Sequence, residues 1–85
     1  MQKKLIQAID HAVAGKWKAA HEIVQHHDTD TNAAWIHADL HKIEGDHENS
    51  HYWYHRAGQL TQASDDPKAE LAEIKGQLTA SPVGG

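Results

Sequence analysis

Apolar residues recur along this chain three and four places apart, the spacing that lines one side of an α-helix. Leu5, Ile9 and Ala12 form the first stripe, with Ile6 and Val13 beside them, and Gly15 interrupts it. Trp17, Ala20 and Val24, with Ile23 adjacent, form the second. It ends in His27-Asp28-Thr29-Asp30-Thr31, a polar cluster rich in residues that cap helix N-termini. Ile36, Leu40 and Ile43 make the third stripe, stopped by Gly45. Ser50, Trp53, Tyr54 and Ala57 make the fourth, with Gly58 close to its end. Asp66-Pro67 sets a capping side chain before a proline at the first helical position, and Leu71, Ile74 and Leu78 supply the apolar side of a fifth helix. No segment alternates with period two for long enough to make a strand. The pattern predicts an all-α fold in a single domain over residues 1–80. Within it the expected units are a hairpin over about 3–28, a second over about 31–59 and a closing helix over about 66–79. Residues 81–85 should fray.

A shift of 30 residues brings Gly15 onto Gly45, and the flanking positions follow. Ile6 meets Ile36, Ala8 meets Ala38, His11 meets His41 and Val13 meets Ile43; beyond the glycine, Ala20 meets Ser50, His21 meets His51 and Val24 meets Tyr54. The pairs keep size or chemistry well enough to suggest one helix-turn-helix unit used twice.

Small residues before and after a glycine turn, with aromatic positions on the second helix, resemble the tetratricopeptide repeat. The resemblance covers residues 1–60. It implies that Ala8 and Ala20, and then Ala38 and Ser50, are the close contacts within each hairpin, with the fifth helix as the cap such stacks need. This chain departs from the pattern in having His11 and His41 where the family prefers tyrosine, Gln7 and His37 for a leucine, and a period of 30 rather than 34. Separately, "AWIHADLHKIEGDHENSHYWYHRAG" resembles a segment of a family of small bacterial and fungal proteins. That likeness implies a shared fold and transfers no site.

Composition narrows the function classes. In 85 residues without cysteine there is neither a disulfide framework nor a thiolate metal site. The formal charge is −4 and the eight Lys and Arg are scattered, so nucleic acid is not the expected partner. The N-terminal segment matches neither a signal peptide nor a membrane span, and the chain reads as cytoplasmic. Nine histidines could reverse the sign of the charge on protonation, so solubility or self-association should vary between about pH 5 and 7.5.

Those histidines are the main candidate chemistry. His47-Glu48-Asn49-Ser50-His51 spells the H-E-x-x-H of zinc hydrolases, with His55 one turn on. Such a site needs a third ligand and a substrate cleft, and His47 falls in the first turn of its helix, so the reading leans away from an enzyme. No catalytic residue is assigned. Three pairs lie four apart, 37/41, 47/51 and 51/55, the spacing at which one helix chelates a metal. If the second hairpin reverses near residue 46, His37 and His41 oppose His55 and His51, and four imidazoles could hold Zn²⁺, Ni²⁺ or Cu²⁺. On a helical wheel, however, these rings fall at the edge of the buried stripes.

The tetratricopeptide likeness implies a different site. Leu5, Ile9, Trp35, Asp39 and Lys42 would line a concave groove that accepts a protein or peptide partner or a second copy, unless the fifth helix fills it. The leading expectation is a small non-catalytic binding module that uses no cofactor. A histidine-rich protein for divalent metals is the alternative.

Overall fold

A computed structural model describes residues 2–58 and 66–79. It is all-α, with five helices: α1 Gln2–Val13, α2 Trp17–Gln25, α3 Thr31–Ile43, α4 His47–Arg56 and α5 Pro67–Thr79. The tail expected at 81–85 lies outside the described residues. The strongest helix pairs are α1 with α2 and α3 with α4, two hairpins, and α5 packs on both α1 and α3 as a closing helix. No helix among the described residues is long and apolar enough to cross a membrane.

Local chemistry sets the helix ends. Asp30 caps α3 by accepting from the Ala33 amide at 2.9 Å, and Asp46 caps α4 by accepting from the Asn49 amide at 3.2 Å. Asp66 accepts from the Lys68 amide at 3.0 Å, with Pro67 at the first position of α5. Both hairpins turn in the same way. Gly15 and Gly45 have φ of 84° and 83°, the left-handed region that costs a side chain-bearing residue about 1–2 kcal/mol. At each glycine two hydrogen bonds close a Schellman turn. Gly15 N–H donates to Ala12 O and Lys16 N–H to His11 O, while Gly45 N–H donates to Lys42 O and Asp46 N–H to His41 O.

The hairpins are drawn together by small side chains. Ala8, Ala20 and Ala38 are fully buried, and Ser50 Oγ donates to the Ala38 carbonyl at 2.9 Å across the second hairpin. Leu5, Ile9, Val24, Ile36, Leu40, Leu71 and Ile74 fill the core. Between the hairpins, the Trp17 indole donates to the Leu40 carbonyl at 2.6 Å. The result centres on α3, which packs against all four other helices and is buried at every position from Ala33 to His41.

Candidate metal centre

Burial of α3 from Ala33 to His41 changes the standing of its histidines. The helical wheel predicts His37 and His41 at the margin of the core, yet both are buried, because α2 and α4 cover the side that a two-helix argument leaves open. They meet His21 of α2, and one ring nitrogen from each of the three lies within 4.8 Å of the others. The Nε2 atoms of His37 and His21 are 3.0 Å apart. Two nitrogens bound to one tetrahedral Zn²⁺ sit about 3.3 Å apart for Zn–N bonds of about 2.0–2.1 Å, so the observed gap needs little adjustment.

Aromatic rings set the orientation of the imidazoles. Trp17 stacks on His21 with centroids 4.7 Å apart, and Trp53 stacks on His37 at 4.0 Å. His41 is oriented by a carboxylate, its Nδ1 lying 2.7 Å from Glu44 Oε1. Such a bond places the proton on Nδ1 and leaves the Nε2 lone pair for an ion.

The electrostatics favour neutral imidazoles, the form that binds metal. Burial, then the neighbouring His21 and His41, pushes the His37 imidazole down to about 3. Burial, then His41, also lowers His21. His37 Nδ1 is buried and has no hydrogen-bond partner. A buried cluster of three histidines with adjacent acid groups can therefore chelate a divalent ion such as Zn²⁺, Ni²⁺ or Cu²⁺. Glu44 and Asp46 form a second group with His41. Glu44 is already engaged with the imidazole and supports the first group, while Asp46 caps α4 and accepts from Asn49 Nδ2 at 2.6 Å.

Of the four histidines expected to converge, His37 and His41 do; His51 and His55 are exposed on α4 and belong to neither group. The residue facing His37 across the second hairpin is Trp53, two residues before the expected His55. His47 and Glu48 of the H-E-x-x-H segment are also exposed, and among the described residues no third ligand gathers with them. His21, absent from the expected set, was detectable only through contact between hairpins rather than within one. A cleft of about 300 Å³ lined by Lys4, Glu22, Ile23, His26 and His27 touches none of the three clustered histidines.

The expected groove residues, Leu5 and Ile9 of α1 with Trp35, Asp39 and Lys42 of α3, lie where α5 packs on both helices. Leu5, Ile9, Trp35 and Asp39 are buried, and the Lys42 side chain is nearly so. Glu70 of α5, itself buried, accepts from Trp35 Nε1 at 2.9 Å, from Lys42 Nζ at 2.7 Å and from Tyr54 Oη at 2.8 Å. Tyr54 Oη also lies 2.8 Å from Asp39 Oδ1, although a phenol has only one proton to give. Burial pushes the Asp39 carboxyl up to about 8, and Glu70 beside it adds to the rise against the Tyr54 hydrogen bond. The consistent assignment is a neutral Asp39 that donates to Tyr54, which donates to an ionised Glu70. Burial alone would raise Glu70, but hydrogen bonds from Lys42, Trp35 and Tyr54 outweigh it and hold the carboxylate below its usual range. This face is an interior polar seam.

No family model, curated protein or solved structure matches the chain.

Proposed function

We propose that the protein binds a divalent transition-metal ion, Zn²⁺, Ni²⁺ or Cu²⁺, through His21, His37 and His41. The observation that carries the reading is the approach of three imidazole nitrogens within 4.8 Å inside a hydrophobic setting. Three neutral nitrogen ligands leave one position of a tetrahedral ion for water or another small donor. The two helical hairpins serve as the frame, which we read as a diverged tetratricopeptide-like pair. Equal turns at Gly15 and Gly45 and small residues at Ala8, Ala20, Ala38 and Ser50 support that description.

Calorimetric titration of the metal-free protein with Zn²⁺ tests the function. One ion should bind per chain at the buried cluster, and His21→Ala, which removes a half-buried ring and leaves α3 intact, should weaken that binding at least tenfold. Equal affinity in the wild type and this variant would remove the proposal.

A further inference from the structure

The exposed histidines of α4 are not used by the buried cluster, and their arrangement supports a second site. His47, His51 and His55 follow one another at four-residue intervals along a helix whose outer side is bare. Among the described residues α4 packs mainly against α3, with Tyr54 reaching Glu70 of α5 from its buried side. Side chains four apart have Cβ atoms about 5–6 Å from each other, close enough for two imidazoles to close on one ion. Two ligands from one helix fill only half of a tetrahedral shell. We infer that His51 and His55 bind a divalent cation together with the same two residues of a second copy, so that the ion joins two chains about a two-fold axis.

The choice of this pair over His47 and His51 follows from the ends of α4. His47 is its first residue, where the positive end of the helix dipole disfavours a cation; His55 lies in the last turn, where the dipole favours one. Arg56, the neighbouring cation, is engaged elsewhere. It donates to Tyr52 Oη at 3.1 Å and to the Asp28 carbonyl at 3.3 Å, and it lies over the Trp53 ring. Glu48, exposed one turn before His51, places a negative charge on the same side. Closed two-fold pairing is the commonest symmetry for such a contact, and each helix contributes the same two residues to it. Because the ion makes the join, association depends on metal and is reversed by a chelator.

Light scattering with Zn²⁺ and the whole chain tests this, using His51→Ala, His21→Ala and the wild type. His51→Ala removes an exposed ring shared by both possible α4 pairs, so its fold is not at stake. The wild type and His21→Ala should double in mass on adding Zn²⁺ and return to single chains with EDTA, while His51→Ala stays single. Ion counting should give the wild type half an ion per chain more than His51→Ala. That difference persists whether or not the buried cluster binds, so the two sites are read separately. A wild type that stays single with Zn²⁺, or a His51→Ala variant that doubles like the wild type, overturns the inference.

Discussion

The Nε2 atoms of His21 and His37 face one another across 3.0 Å, joining the second helix of one hairpin to the first helix of the next. Neither ring is charged at neutral pH, since burial lowers both. The contact therefore holds a single proton between two lone pairs. An ion seated there takes the place of that proton and satisfies both nitrogens at once.

Support for His41 should be measurable through Glu44. Glu44→Gln keeps the shape and removes the charge that orients the imidazole at 2.7 Å. Zn²⁺ affinity should fall about 10–100-fold, as for other losses of a carboxylate behind a histidine ligand. Calorimetry beside the wild type checks it, and an unchanged affinity would assign Glu44 to the surface alone.

Tryptophan emission should report occupancy. Trp17 and Trp53 each stack on a histidine of the cluster, and Cu²⁺ bound between those rings should quench both. His21→Ala should sharply reduce the quenching at equimolar Cu²⁺, that of Trp17 above all. Quenching of equal depth in that variant would place the ion elsewhere.

The metal-free protein should have an unusual dependence on pH. His37 titrates near 3 folded against 6.5 unfolded, so the unfolded chain binds more protons between those values and stability falls as pH drops through them. Asp39 acts in the other direction. Its folded value is about 8 against 3.8 unfolded, so the folded state holds the extra proton and stability falls as pH rises from 3.8 to 8. Each slope is at most about 1.4 kcal/mol per pH unit. They oppose each other between 3.8 and 6.5, and above 6.5 only the Asp39 loss remains. Below 3.8 His37 and the lowered Glu70 both destabilise. Urea midpoints should thus be highest on the acid side of neutrality and decline towards pH 8. Asp39→Asn should remove the decline; a midpoint that climbs from pH 6.5 to 8 in the wild type contradicts the assignment.

Glu70 should matter more than any exposed acid in the chain. Glu70→Ala removes the carboxylate to which Lys42, the Trp35 indole and the Tyr54 hydroxyl all donate. Breaking a buried pair from one side costs about 3–5 kcal/mol, a large fraction of what a domain this size holds. Thermal unfolding should start far below that of the wild type. A loss under about 1 kcal/mol would mean that α5 is held by its apolar residues alone.

The two glycine turns should respond alike. A Cβ at Gly15 or Gly45 would meet nothing within 4 Å, so the penalty is purely conformational. Alanine at either position should cost about 1–2 kcal/mol, and asparagine less. Denaturation midpoints that differ widely between the two alanine variants would show that the turns are not equivalent.

The helices were legible because each is written twice, in an apolar stripe and in its ends. Gly15, Gly45, Asp30 and Asp66-Pro67 all sit where the periodicity stops or starts, and they do so in the fold. The site was half legible. Spacing of four marked His37 and His41 as partners, but a wheel drawn for one helix contains no information on how many neighbours surround it. Three alanines, Ala33, Ala34 and Ala38, let those neighbours close in on α3 from every side. His21 needed knowledge that α2 leans on α3, a relation between hairpins that no short window of sequence contains. Glu70 was hidden for a related reason: an acid within the apolar side of α5 looks like a flaw until Trp35, Lys42 and Tyr54 are set around it.

The central position of α3 has a consequence for motion. Its amides are enclosed by four other helices, so exchange with deuterium there requires the whole assembly to come apart. Helix α4 packs on α3 and is tied to α5 through Tyr54 and Glu70, and its exposed side leaves its amides open to smaller fluctuations. The slowest protons of the molecule should therefore map to Ala33–His41, and their rate reads the global unfolding free energy directly.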